Sequence, residues 1–485
     1  MLLGALRSSV RSGAAPRVFA CSGGCATRGI ATATRAQWSA FRSMARTSSR
    51  VHEARSEILQ SLRLSSFRSL HTTRTLLKPA QAQPQSSPEE LPVLPSLPVG
   101  RWLMFSSALV LAIIVVGGVT RLTESGLSIT EWQPITGVLP PLTHDEWMVE
   151  FDKLNHSISL EDFKSIFYME WGHRVLGRLI GVVFVGPLAY FALRKKIPKT
   201  LTLRLTSLAT LIGAQGLLGW YMVKSGLEDS IMETPGAVPR VSQYRLAAHL
   251  GMAFLLYLGM FGTGMAVIKD WKFAHGANWS GYTLDIQKAV ARPLFVSFKR
   301  QAWALTGLVL MTALSGAFVA GLDAGLLYNE FPLMGGRLAP PADELFADEY
   351  AKNPDKSDKW WRNIFENPTT VQFNHRVLAT ATYCATSLLF ARSLKPLMRQ
   401  ALPPMTHVAM KAAFAMANVQ VGLGIFTLLY LVPVPLAAAH QAGSVMLLSA
   451  MAHILITMRR PGVAARAWRE FLAKKAAHAP KPRAS

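Results

Sequence analysis

The chain has very little cysteine for its length. Its 485 residues include three cysteines, Cys21, Cys25 and Cys384, and only the last lies beyond the N-terminal region. A disulfide within the chain and a thiolate metal cluster both need at least two cysteines, so both are excluded after residue 25. A metal in the rest of the chain must therefore be held by histidine or carboxylate.

Acidic residues are also scarce, most of all at the N-terminus. The whole chain has 28 acidic and 51 basic residues, and residues 1–77 carry twelve arginines and no lysine against Glu53 and Glu57. A basic segment rich in Ser and Ala is typical of a mitochondrial transit peptide, with a disordered basic tail as the alternative. The net charge of +23 is concentrated here and in short loops, so it does not indicate a nucleic-acid partner.

Charged residues of both signs together make up 16% of the chain, whereas apolar residues make up 50%. The apolar residues form eight blocks, and most of them reach the ~20 residues that cross a bilayer. The sequence therefore predicts an all-α polytopic membrane protein with eight transmembrane helices and a membrane-lipid environment. The predicted spans are 102–120, 172–193, 203–223, 246–268, 301–321, 375–392, 407–430 and 435–457.

The short loops indicate the orientation of these spans. The loop after the second span holds Arg194, Lys195 and Lys196 without an acid, whereas the loop after the third holds Glu228 and Asp229. Basic loops stay on the side from which a membrane protein inserts. We expect both termini in the mitochondrial matrix, and the protein in the inner membrane.

The two halves of the membrane region look like copies of one unit. Glu124-Ser125-Gly126-Leu127 after the first span resembles Asp323-Ala324-Gly325-Leu326 after the fifth, and Gln215 and Gly219 match Gln420 and Gly424. Because each unit has four spans, the chain returns to the same side of the membrane, and both copies have the same orientation. The halves should be two tandem four-helix bundles related by pseudo-two-fold symmetry along the membrane normal.

The composition and the repeat together give the domain organisation. We predict a transit peptide at 1–77, a linker at 78–100 and an N-terminal four-helix bundle at 101–270. A matrix linker at 271–300, a C-terminal bundle at 301–460 and a basic matrix tail at 461–485 follow.

Four of the 12 histidines lie in spans and pair across the repeat: His173, His249, His375 and His440. His173 and His375 each open the string His-Arg-Val-Leu. Because all four lie near the N-terminal ends of even-numbered spans, they share one depth, and each half can bring its two imidazoles face to face. A single such histidine could simply pack among helices, but two matched pairs favour metal ligation.

Two histidines and no thiolate leave a tetrahedral zinc site underdetermined. Two opposed imidazoles suit the axial positions of haem iron, because the porphyrin supplies the other four ligands. Arg174 and Arg376 directly follow His173 and His375 and could pair with haem propionates, with lipid headgroups as the alternative. Each half is therefore a candidate haem site.

One residue distinguishes the two candidate sites. Glu170 lies three residues before His173, on the same face of a helix, whereas Gln372 holds the equivalent place before His375. A carboxylate can move protons or stabilise developing charge, and an amide can only orient. The N-terminal site is therefore predicted to carry out chemistry, and the C-terminal site to hold a redox cofactor. A simple flanking or capping role for Glu170 is the alternative.

Several motifs resemble the mitochondrial haem A synthase family over residues 100–460. They are Met169-Glu170-Trp171-Gly172-His173-Arg174-Val175-Leu176-Gly177-Arg178, Gly117-Gly118-Val119-Thr120-Arg121-Leu122-Thr123-Glu124-Ser125-Gly126-Leu127-Ser128, Phe373-Asn374-His375-Arg376 and Ala439-His440-Gln441-Ala442-Gly443.

The resemblance implies oxidation of the C8 methyl group of haem O to the formyl group of haem A, for cytochrome c oxidase assembly. It implies that His375 and His440 ligate a haem b cofactor, that His173 and His249 hold haem O, and that Glu170 is catalytic. A matrix ferredoxin and its reductase are the implied electron donors. Haem O synthase and oxidase assembly factors are further candidate partners, and the oligomeric state stays open, a homo-oligomer included.

Two other functions fit four histidines. A di-haem b electron carrier would pass electrons without altering either haem, and a haem-binding assembly factor or transporter would bind haem transiently. Neither accounts for a carboxylate at one site only. Some bacterial relatives carry a cysteine pair in the first external loop, and residues 121–170 of this chain have none.

Overall fold

A computed structural model describes residues 91–133, 137, 139–153, 158–227, 240–282, 286–289 and 291–478. The predicted transit peptide and most of the linker after it lie outside the described residues. Across the described ranges the protein is all-helical, and the only β pairing there is an isolated bridge between Met334 and Arg337. The described helices are α1 Leu97–Leu122, α2 His144–Asp152, α3 Leu160–Leu193, α4 Lys199–Gly226, α5 Gln243–Ala274, α6 Ile286–Ala289, α7 Pro293–Gly321, α8 Ala342–Leu345, α9 Lys359–Glu366, α10 Pro368–Ser393, α11 Pro396–Ala401, α12 Pro404–Leu429, α13 Val434–Thr457 and α14 Val463–Ala477.

Proline and capping side chains determine where the long helices begin. Proline occupies the first turn of α1, α7, α10, α12 and α13, where its missing N–H has no helical partner to lose. Ser159 caps α3 by accepting from the backbone of Asp162, and the acidic first turn suits the helix dipole. Helix α3 thus begins 12 residues before the apolar block at 172, so His173 lies well inside it.

Seven of the long helices are long and apolar enough to cross a membrane, namely α1, α3, α4, α5, α7, α12 and α13. Helix α10 matches the sixth predicted span, 375–392, and has 26 residues, but polar side chains run through its first half. Apolar residues on several long helices are exposed; Val182, Leu203 and Leu388 are 71%, 71% and 72% accessible. Such outward-facing surfaces fit lipid contact.

The long helices pack in two sets. In the first half α1 lies against α3 and α5, and α4 contacts both α3 and α5. In the second half α7 lies against α10 and α13, and α12 contacts both α10 and α13. Helices α1 and α5 also pack against α7 and α13, so one buried core runs through both halves.

The turn after the first helix of each half has the same backbone conformation. Glu124 and Asp323 both adopt a left-handed conformation, with φ of 54° and 50°, and each is followed by one turn of 3-10 helix. Arg121 of α1 donates to the carboxylate of Asp323 at 3.0 Å, and Arg240 pairs with the other oxygen. The second turn is thereby tied to the first half.

Helices α1 and α5 approach closely at a pair of glycines. A Cβ added at Gly264 would lie 3.1 Å from Cβ of Leu103 and 3.2 Å from the carbonyl oxygen of Gly100. Small residues allow such backbone contact between membrane helices, where dispersion forces and not water exclusion drive association.

We expect Gly264→Leu to destabilise the protein by about 1–3 kcal/mol, the usual cost of overpacking a filled core. The matched control is Gly262→Leu on the same helix, where an added Cβ meets nothing within 4 Å. Thermal unfolding of both purified variants in detergent measures the difference. Equal midpoints for the two variants would show that the glycine contact is not close in solution.

Candidate functional site

The four predicted histidines lie on α3, α5, α10 and α13, and in each half the two helices that carry them pack against the same two neighbours. His173 of α3 and His249 of α5 are within electrostatic range of each other, and His375 of α10 and His440 of α13 form a second such pair. All four imidazoles are half-buried. The structure therefore brings together the pairs that the repeat predicted.

Each imidazole rests on a glycine of the preceding long helix. A Cβ at Gly117 would lie 2.9 Å from Cε1 of His173, and one at Gly424 would lie 2.9 Å from Cε1 of His440. Gly219 and Gly316 give 3.5 Å to His249 and 3.3 Å to His375. A Cβ at Gly117, Gly316 or Gly424 would require the ring to shift, whereas one at Gly219 would make ordinary contact with His249. The first three glycines therefore set how close the ring lies to its neighbouring helix.

A glutamine holds the backbone of the second histidine in each half. The amide of Gln215 donates to the carbonyl of His249 at 3.1 Å, and that of Gln420 donates to the carbonyl of His440 at 2.8 Å. The same two residues were matched across the repeat from sequence alone. Their contacts show that the two halves use the same device to place this histidine.

Glu170 is 3% exposed and its two oxygens accept four hydrogen bonds. The hydroxyl of Ser128 and the backbone N–H of Ile129 each donate to one oxygen at 2.8 Å. Arg174 donates to the other from Nε at 3.1 Å and from Nη2 at 2.6 Å. A buried carboxylate is stable only when paired in this way, so Glu170 ties α3 to the turn after α1.

Gln372 holds the same position in the second half without an equivalent set of partners. It is 2% exposed; its amide donates to the carbonyl of Tyr328 at 3.3 Å, and its Oε1 is buried with no partner. The hydroxyl of Tyr328 donates to Glu344 at 2.6 Å, and this bond raises the pKa of Tyr328 to about 12. The second half thus has a neutral amide where the first has an ion pair.

The two arginines after the histidines each hold the loop that precedes their own helix. Arg174 donates to the carbonyls of Ile129 and Glu131 at 2.6 and 2.8 Å, in addition to its pair with Glu170. Arg376 donates to the carbonyls of Tyr328 and Leu333 at 2.8 and 3.0 Å. Loop carbonyls, which the sequence did not point to as partners, therefore accept from both terminal nitrogens of each arginine.

Sequence reasoning missed three residues whose partners lie on other elements: Ser128 in a turn, Ser315 on the neighbouring helix, and Gln441, which reaches the other half. Ser128 was quoted only as part of a motif, and Ser315, whose Oγ lies 2.7 Å from Nδ1 of His375, was not noticed. Gln441 donates to the carbonyl of Ile114 in the other half at 3.1 Å. Ser315 precedes Gly316, and Val116 precedes the matching Gly117. A comparison of these two positions in the sequence would have singled out Ser315, because a polar residue there replaces an apolar one.

The donor set at each pair is two histidines. In the described ranges, groups of three or more His, Cys, Asp or Glu that could bind a bare metal ion are absent. Nδ1 of His173, His249 and His440 is buried without a hydrogen-bond partner. A cofactor that brings its own equatorial ligands needs only two protein ligands, so these pairs fit haem better than zinc.

Known proteins match over most of the membrane region. The COX15-CtaA family model, described as "Cytochrome oxidase assembly protein", matches residues 100–452. A Schizosaccharomyces pombe "Heme A synthase-mitochondrial ferredoxin fusion protein" is 47% identical over 75% of this chain, which spans 60% of that protein's length. "Heme A synthase COX15" of Saccharomyces cerevisiae is 42% identical over 82% of each chain, and the Homo sapiens protein of that name is 43% identical over 75% of this chain and 83% of its own.

These matches cover the helices that carry all four histidines, Glu170 and the ring-supporting glycines. The chain accordingly belongs to the COX15-CtaA family of cytochrome oxidase assembly proteins, and the relatives described above are named as haem A synthases.

Proposed function

We propose that this protein is a haem A synthase that oxidises the C8 methyl group of haem O to the formyl group of haem A. The observation that carries the proposal is two matched histidine pairs of which only one has an adjacent buried carboxylate. Membership of the COX15-CtaA family supports the reaction class. A carrier that only passed electrons would not need the difference between Glu170 and Gln372.

In this proposal haem O is the substrate of the N-terminal half, where His173 and His249 hold it. His375 and His440 hold haem b, which supplies one-electron transfer when bound. Gly316 and Gly424 let the second pair of rings lie close against α7 and α12. The two halves then act as a substrate site and a cofactor site built on one frame.

The reaction consists of two oxidations at one carbon. The methyl group becomes an alcohol, and the alcohol becomes an aldehyde hydrate that loses water to give the formyl group. Each oxidation breaks one C–H bond, adds one hydroxyl group and takes two electrons from the carbon; with water as the oxygen source it releases two protons, one from the carbon and one from the water. When water supplies the oxygen, the electrons need an acceptor; when dioxygen supplies it, each round needs two further electrons and two protons, and one water is released.

Glu170 is proposed to accept protons that leave the substrate. It lies one helical turn before His173, and Arg174, Ser128 and Ile129 hold its side chain in one position. The hydrogen bonds from Ser128 and Ile129 connect the carboxyl group to the turn after α1, and a proton on Glu170 could leave in that direction.

We also propose how the protein lies in the membrane. Eight spans, α10 included, form two four-helix bundles related by an axis along the membrane normal, at 101–270 and 301–460. Basic loops such as 194–199 support an orientation with both termini in the matrix of the inner membrane. A matrix ferredoxin is the proposed electron donor, and the printed name of the S. pombe relative, a fusion with a mitochondrial ferredoxin, supports that choice.

Pigment extraction from the purified protein tests the function. A synthase is expected to yield haem b together with haem O and haem A, because substrate and product share one site. Chromatography of the acid-acetone extract separates the three. An extract that holds haem b alone, from cells that make haem O, would favour the electron carrier instead.

Glu170→Gln is expected to lower haem A formation about 10²–10⁴-fold, the usual contribution of a positioned acid–base group. Haem O or its alcohol should accumulate in the protein. The matched control is Ser128→Ala, which removes one hydrogen bond from Glu170 but keeps the carboxylate and the Arg174 pair. Haem A at the normal level in Glu170→Gln, or equal losses in both variants, would contradict a proton-transfer role.

Gly424→Val is expected to displace the ring of His440 and to remove most of the low-spin haem of the C-terminal half. Gly422→Val on the same helix is the control, because an added Cβ there meets nothing within 4 Å. Haem per protein, measured as the pyridine haemochrome, gives the comparison. Full haem content in both variants would argue against His440 as a ligand.

A further inference from the structure

His375 differs in its hydrogen bonding from His173, its counterpart in the first half. Its Nδ1 lies 2.7 Å from Oγ of Ser315, whereas Nδ1 of His173 is buried without a partner. In the proposed function each of the two holds a haem, but their surroundings are not equivalent.

The hydrogen-bond network determines which atom of this pair donates. The hydroxyl of Ser315 has a single hydrogen, and the carbonyl of Thr312 accepts it at 2.7 Å. Oγ of Ser315 must therefore accept from Nδ1–H of His375. This places the imidazole proton on Nδ1 and leaves Nε2 with a free lone pair, which is the form that binds iron.

The matched position in the first half cannot do the same. Gly117 and Gly316 support the rings of His173 and His375, so the residues before them, Val116 and Ser315, are equivalent. Valine has no acceptor. His173 thus has the same packing partner as His375 but lacks the bond that fixes its tautomer.

An acceptor on the distal N–H makes an imidazole a stronger electron donor to its metal and holds the ring in one orientation. Stronger donation stabilises ferric over ferrous iron, and therefore lowers the reduction potential of the haem. A ligand without that acceptor binds iron more weakly and exchanges more readily.

We propose that Ser315 is a positioning residue that makes the C-terminal haem the permanent, low-potential one, and that Val116 leaves His173 a weaker ligand suited to exchange of substrate and product. This inference rests on the proposed function, since it concerns how the two halves divide the roles of cofactor site and substrate site. Both residues act through a histidine and not on the reacting carbon.

The test uses full-length protein purified from cells that make haem b but no haem O, so that the C-terminal haem is measured by itself. Ser315→Ala is expected to shift the ratio of ferric to ferrous affinity about tenfold, which is about 59 mV upward for one electron. Loss of haem to apomyoglobin should be about 10–100-fold faster, the usual effect of removing such a partner. Spectroelectrochemical titration and the transfer rate are the two readouts.

Ser315→Thr keeps the hydroxyl and is expected to retain the wild-type reduction potential of the haem. If Ser315 only filled space, the added methyl group of threonine would change that potential. Val116→Ser supplies the acceptor to His173 and is expected to slow release of haem O from protein loaded with it. It tests the inference independently if Ser315→Ala does not fold.

An unchanged potential and transfer rate in folded Ser315→Ala would overturn the role of Ser315, and unchanged haem O release in Val116→Ser would overturn that of Val116. Failure of the proposed function has a different signature. In that case wild-type protein would bind no low-spin haem, or would keep it unchanged in His375→Met.

Discussion

The contact between an imidazole and a glycine of the preceding helix is the constraint on which the site depends. It occurs four times, at Gly117, Gly219, Gly316 and Gly424, and it needs neighbouring helices at nearly the same separation in both halves. A side chain at Gly117 or Gly424 would force the neighbouring ring to shift, because the added Cβ would lie 2.9 Å from it. The spacing of neighbouring helices therefore also fixes the positions of the histidine rings, and this holds in both halves.

On this shared frame the two halves differ in polarity. The first half places an ion pair between Glu170 and Arg174 next to its histidine and leaves the ring nitrogen without an acceptor. The second half has the amide of Gln372 and adds the hydroxyl of Ser315. A buried carboxylate needs donors, and the turn at Ser128 provides them. In the proposed function, the difference between the substrate site and the cofactor site comes from these small changes in hydrogen bonding around equivalent histidines.

The halves are also held to each other by contacts beside the histidines. Gln441 directly follows His440 and reaches the backbone of α1, and a Cβ at Gly118 would collide with its side chain. Deeper in the core the hydroxyls of Tyr257 and Ser449 are 2.6 Å apart. These contacts hold the two sets of helices together at the level of the histidines and below it.

The sequence by itself determined the helical class and seven of the eight predicted spans, because apolar length is a local property. It also predicted the repeat and the four histidines from residue order. It also pointed to Glu170 against Gln372, since both lie a fixed three residues before a histidine. Only the tertiary structure decided what these side chains contact: the loop carbonyls that occupy Arg174 and Arg376, the turn that holds Glu170, and the Ser315 hydroxyl that separates His375 from the rest. Those partners lie about 40 to 60 residues away in the chain. Their proximity comes from how helices pack and turns fold back, which spacing along the sequence does not record.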